Sequence, residues 1–182
     1  MISTGIRHLD KLIGGLRLGD NVVWQISSGV PIEHFTRHAL GTESGRAGNI
    51  VYINFNYSPH TVCRRFDEVF HRHNITMIDA FTHGKGNGDS VFLDFYSSQS
   101  EYDISRVVRV ENPRDIQEFI AVMNAVEKSN TSGSFYVFDS LSALVVEWAT
   151  DELLANFFQV TCPYLFELDT VAYFALTRGR HS

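Results

Sequence analysis

The sequence predicts an α/β domain of three layers, with helices on both faces of a mainly parallel central sheet, and three observations support this. Four short runs, "NVVWQI" (21–26), "IVYINF" (50–55), "FYVFDS" (135–140) and "VAYFAL" (171–176), are nearly continuous in apolar residues. Such runs are the mark of strands buried on both faces. Longer stretches of helical period separate them, as βαβ units require. The chain has 182 residues and 44% hydrophobic content, enough for one substantial core, so residues 1–182 read as a single domain.

Local chemistry places the helices. "NPRDIQEFIAVMNAVEKS" (112–129) is the clearest, with Asn112 as its cap, Pro113 at the first helical position and Asp115 favouring the positive end. Ile116, Phe119, Ile120, Met123 and Val126 fall on one face of it, which packs on the sheet. A second helix starts at Thr61. A third follows Thr150 as "DELLANFFQV", and Pro163 is expected to break or kink it. "THGKGNGDS" (82–90) reads as a surface loop, flanked within 82–105 by a short pair of extended segments.

Composition removes several functional classes. A formal charge of -6 argues against a broad nucleic-acid footprint, which shows as a basic face or stripe. Cys63 and Cys162 are too few for a disulfide framework and have no CxxC partners, so a reducing cytoplasm is expected, with both as small core residues. No apolar run reaches the roughly 18 residues of a membrane span, and the N-terminus lacks a signal-type core, so no membrane partner is expected. The densest histidine cluster, "HRH" at 71–73, has residues two apart that diverge on a helix and no nearby ligand pair, so no metal is expected there.

The opening "STGIRHLDKLIGGLRLGDNVVWQI" resembles the start of KaiC/RecA-like ATPase domains, through Thr4, Gly5, Leu9, Asp10, Leu12, Gly14, Gly15 and Gly19. Further on, "GNIVYINFNYSP" looks like that family's second core strand, "SFYVFDSLSAL" like its Walker B strand and "AYFALT" like its sensor strand. The resemblance implies a RecA-like, P-loop NTPase-type fold. A gap-free count back from Gly48 puts the phosphate loop, G-x-x-G-x-G-K-[ST], on "SSGVPIEH", residues 27–34.

That loop is degenerate. A phosphate cradle needs glycines to turn several N–H groups onto the ligand, and Ser27, Val30 and Ile32 replace them, with Ser28 and Gly29 between. Glu33 stands in place of the phosphate-neutralising lysine and His34 in place of the magnesium-binding hydroxyl. A unit charge about 4 Å away is worth roughly 4 kcal/mol at an effective dielectric near 20, so reversing its sign moves the balance by about 8 kcal/mol. Millimolar binding is only about 4 kcal/mol in total. The glutamate pair that the resemblance implies after the second core strand, one of which activates the attacking water, is replaced by Asn56 and Tyr57. Asp139 survives at the Walker B position, followed by Ser140, and is read as a structural strand-end carboxylate. The vestigial site is therefore Ser27, Ser28, Gly29, Val30, Ile32, Glu33, His34, Asn56, Tyr57, Asp139 and Ser140, with no catalytic residue, cofactor or metal. The other glycine-rich stretch, with Gly84, Gly86 and Gly88, has no G-K-[ST] after Lys85 and reads as a hairpin or surface loop.

A narrower resemblance lies in "LRLGDNVVWQI", "FYVFDSLSAL" and "VTCPYLFELDTVAYFALTRGRHS". These are similar to the N-terminal region of larger bacterial proteins that join a degenerate KaiC-like domain to a phosphoenolpyruvate synthase or pyruvate phosphate dikinase type of domain. The implied function is a nonenzymatic domain for interaction, assembly or regulation, attached to a phosphotransferase module. The alternative is a nucleotide-binding ATPase with an atypical phosphate loop. Expected partners are a protein or neighbouring domain, or further copies of the chain. Phe157, Phe158, Tyr164, Phe166, Tyr173 and Phe174 should be mostly core, with some at an interface. Arg178 and Arg180 read as an exposed basic end. The resemblance also expects more strands after 171–176, because a sheet that ended there would expose an unpaired edge, so the chain is expected to be the front of a longer one.

Overall fold

The computed structural model describes residues 2–27, 30, 36–38, 49–70, 74–102, 106–130, 134–148 and 150–177. In chain order these form α1 (Arg7–Ile13), β1 (Asn21–Ile26), β2 (Asn49–Asn54), α2 (Pro59–Arg65), α3 (Asp67–Phe70) and β3 (Ile75–Asp79). There follow α4 (Ser90–Leu93), two 3₁₀ turns (Asp94–Ser97 and Gln99–Glu101), β4 (Arg106–Arg109), α5 (Ile116–Ser129), β5 (Ser134–Asp139), α6 (Leu141–Trp148), α7 (Asp151–Glu167) and β6 (Val171–Thr177). The six strands make one sheet in the order β1-β6-β5-β2-β3-β4. Every pairing is parallel. The expected α/β class with a parallel central sheet is what the chain adopts.

Strand side chains alternate between the two faces, and each face feeds a separate core. Val51 and Ile53 of β2, Tyr136 and Phe138 of β5, and Ala172 and Phe174 of β6 meet Phe119 and Met123 of α5 and Phe157 and Leu165 of α7. On the opposite face Ile50 and Tyr52, Phe135 and Val137, and Val171 and Tyr173 meet Val62 and Cys63 of α2, with Phe66 beyond it. Phe138 and Phe174 stack across β5 and β6 with centroids 4.4 Å apart. Most of the late aromatics are core as expected, but Phe166 is 60% exposed.

Several expectations need correction. β2, β3 and β5 are buried along their whole length, but β1 is not buried on both faces, because it is an edge strand and alternates exposed with half-buried positions. β6 is no edge: it pairs with β1 on one side and β5 on the other, so the unpaired margin expected after 171–176 lies at β1. α5 begins at Ile116, and its cap is Asp115 instead of Asn112, with Asp115 Oδ1 accepting from the Gln117 and Glu118 N–H groups. The helix expected from Thr61 starts two residues earlier, capped by Ser58 with Pro59 at the first position. Thr150 does cap α7, but that helix runs through Pro163 to Glu167. Pro163 and Gln159, whose carbonyl loses its helical donor, are both exposed, so water can satisfy that carbonyl.

The region 82–105 differs most. In place of a hairpin and two extended segments, residues 81–89 form a compact turn series with Phe81, Thr82, Gly84 and Gly86 buried, followed by helical turns. Among the described residues no helix is long and apolar enough to cross a membrane.

Candidate functional site

β5 carries an apolar run to its C-terminal end and delivers Asp139 there, 1% exposed. The register sets Asn54, the last residue of β2, directly beside it. A buried carboxylate is costly unless its oxygens are satisfied, and here both are. The Tyr52 hydroxyl, from the same face of β2, donates to Oδ2 at 2.5 Å. The Asn56 amide donates to Oδ1 at 3.1 Å and to the Ser140 hydroxyl at 2.9 Å. The peptide bond between Asp139 and Ser140 is cis.

The loop that supplies Asn56 is closed by its own polar groups. Asn54 Oδ1 accepts from the Asn56 and Tyr57 backbone N–H groups at 3.3 and 3.2 Å, while its amide donates to the Tyr57 carbonyl. The Tyr57 ring packs under the Arg65 guanidinium, 4.0 Å from its centroid, a cation–π contact with the end of α2. On the other side of Asp139, Ser142 Oγ accepts from the Thr177 N–H at 2.9 Å and ties the end of β6 to α6.

Of the residues that the sequence assigns to this site, the structure brings Asn56, Asp139 and Ser140 together and turns Tyr57 toward α2. Ser27 is exposed after β1, and Val30, 42% exposed, donates its N–H to the Ser27 carbonyl at 3.1 Å. Ser28, Gly29, Ile32, Glu33 and His34 lie outside the described residues, as do residues 71–73, Arg178 and Arg180. A magnesium nucleotide, which the fold type implies, fits the described part poorly. A hard cation takes several oxygen ligands, whereas Asp139 offers one carboxylate with both oxygens already engaged, beside a neutral amide. Among the described residues no group of three or more His, Cys, Asp or Glu side chains is placed to hold a metal. Neither cysteine is a poised nucleophile: burial pushes the Cys63 thiol up to about 12 and raises Cys162 as well.

A second polar cluster at the ends of β3 and β4 escaped the sequence reading. Asp79, wholly buried, accepts from the Phe81 and Thr82 N–H groups at 2.9 and 3.1 Å and from the Tyr96 hydroxyl at 2.6 Å. Burial raises its carboxyl above the ordinary value, and these hydrogen bonds reverse only part of the rise. The Arg109 guanidinium lies 5.0 Å from the Tyr96 ring centroid and pairs with Glu111 at 2.6 Å. Glu111 in turn stands 3.2 Å from His83 Nε2, an ion-pair distance without hydrogen-bond alignment. The signal was present, since "ITMID" is an apolar run ending in aspartate, the same pattern as "FYVFD".

No family model matches the chain, and no curated protein matches it in sequence. Among solved structures it is similar to a KaiC-like protein from the hyperthermophilic archaeon Pyrococcus horikoshii OT3. The TM-score is 0.60 at 16% identity, over 97% of this chain and 69% of that one. Identity this low speaks for the fold alone. With the all-parallel six-stranded sheet, helices on both faces and a strand-end aspartate on β5, the chain has a KaiC/RecA-like α/β fold.

Proposed function

We propose that this chain is a nonenzymatic, KaiC-like pseudo-ATPase domain that serves interaction, assembly or regulation. The observation that carries the reading is the state of Asp139: its carboxylate is spent on Tyr52 and Asn56, and no second carboxylate stands at Asn56 or Tyr57 to activate water. The charge reversal at Glu33 supports it from the sequence. Attachment to a phosphoenolpyruvate- or pyruvate-utilising phosphotransferase module extends the proposal, on the strength of the narrower resemblance, and reading the gene beyond Ser182 tests that extension. A stop codon directly after it would remove the fusion.

Thermal unfolding with and without magnesium ATP tests the central claim, on the wild type and on Asp139→Asn. A ligand at about 100 times its dissociation constant stabilises by roughly 2.7 kcal/mol, so binding would be plain. The expected result is no saturable shift in either form and a lowered melting temperature in Asp139→Asn without ligand. A magnesium-dependent shift confined to the wild type would instead establish the alternative, a nucleotide-binding ATPase with an atypical phosphate loop.

A further inference from the structure

Between the start of α2 and the helical turns after the 81–89 loop lies a cavity of about 340 Å³. We infer that it is a binding site for a small, flat aromatic ligand carrying a cationic amine. Its volume falls at the lower end of the range for small-molecule sites, roughly 300–1,000 Å³. That suits a one- or two-ring compound.

The walls supply the aromatic half of the recognition. Phe95, 5% exposed, is the buried aromatic of the lining, and the Tyr102 ring leans on it with centroids 5.2 Å apart. His60, from the first turn of α2, sets its ring 5.5 Å from that of Tyr102. Phe92 is held edge-on by Phe81 at 5.0 Å and 86°. Four rings, from α2, α4 and the two 3₁₀ turns that follow it, thus form a corner whose packing fixes their orientation before any ligand arrives. Such faces favour offset stacking and attract a cation.

The charge supplies the other half. Among the described residues Asp94 is the only carboxylate in the lining, and no lysine or arginine joins it. Among the described residues its carboxylate has no hydrogen-bond or ion-pair partner, unlike Asp79 and Asp139, which are fully engaged. An unopposed carboxylate beside aromatic faces selects for an ammonium or amidinium and repels phosphates and carboxylates. Ser58, whose hydroxyl caps α2, and Ser98, whose hydroxyl donates to the Phe95 carbonyl, complete the polar part of the lining. This site is separate from the Asp139 cluster and does not depend on whether that cluster is vestigial.

Calorimetric titration with tryptamine, 2-phenylethylamine and benzamidine, and with indole-3-propionate as the anionic counterpart of tryptamine, tests the assignment. At least one amine should bind with a dissociation constant below about 5 mM, and indole-3-propionate should bind at least tenfold more weakly, about 1.4 kcal/mol. Asp94→Asn, at an exposed position, should weaken the amine about tenfold with an unchanged melting temperature. Tyr102→Leu, which keeps apolar volume against Phe95, should weaken it several-fold. Failure of all three amines, equal affinity for indole-3-propionate, or unchanged amine affinity in Asp94→Asn would each overturn the proposal.

Discussion

Asp10 and Asp79 show how one residue type is used in opposite senses. Asp10 is half-buried, and desolvation pushes its carboxyl up, but hydrogen bonds from the Ser3 and Thr4 hydroxyls and the Thr4 N–H together outweigh this and lower it. The "TG…LD" resemblance therefore has a local physical meaning here: the aspartate of α1 ties down the strand-like entry that precedes it. Gly19 belongs to the same motif for a different reason. Its φ is +87°, and a Cβ there would come within 2.7 Å of the Phe166 ring. Asp79, by contrast, has its carboxyl raised by burial, so the folded state keeps a proton that the unfolded chain has already released. By linkage the folded protein then loses stability as pH rises above the ordinary carboxylate value of 3.8. In Asp79→Asn that dependence should vanish, giving a flatter stability curve from about pH 4 upward in urea titrations. A slope as steep as that of the wild type would show that Asp79 is not its source.

At the scale of elements, caps and breakers decide boundaries that apolar patterning leaves loose. Asp115→Ala should cost about 1 kcal/mol, because two N–H groups of α5 lose their acceptor. Asn112→Ala, at the cap position favoured by the sequence, should cost less, and chemical denaturation of the pair ranks them directly. Pro163→Ala in α7 should stabilise by about 1–2 kcal/mol, since it restores a donor to Gln159 against a smaller gain in unfolded-chain entropy. A rise in melting temperature would confirm it. The apolar runs of β2, β5 and β6 and the periodic face of α5 were legible because each reports burial directly, whereas the run of β1 read the same way although it is an edge strand. β3 and β4 were not: "ITMID" and "RVVR" are short, and β4 is an edge strand with an exposed or half-buried pattern. The 81–89 loop was misread as surface because its polar composition conceals that it folds around Asp79. Of the candidate site, Asp139 and Asn56 were legible through the KaiC/RecA-like resemblance, whereas Tyr52, one of the two donors to Asp139, looked like any other apolar strand residue.

For the molecule as a whole, the two cores share one sheet, and β5 and β6 present side chains to both. Phe138→Ala should therefore destabilise by about 3–5 kcal/mol while far-ultraviolet circular dichroism and tryptophan fluorescence still report a single coincident transition. Separate transitions would mean that the two faces unfold independently. The place of β6 also has a consequence in time. β1 is the first strand described, and its partner within the sheet is β6, the last strand described. Between Ile26 and Val171 the ribosome must add 171 − 26 = 145 residues, roughly 7–30 s of synthesis at about 5–20 residues per second. Throughout that interval Val22, Val23, Trp24 and Ile26 emerge as an apolar ribbon without its hydrogen-bonding neighbour, a segment for chaperones to shield until β6 is made.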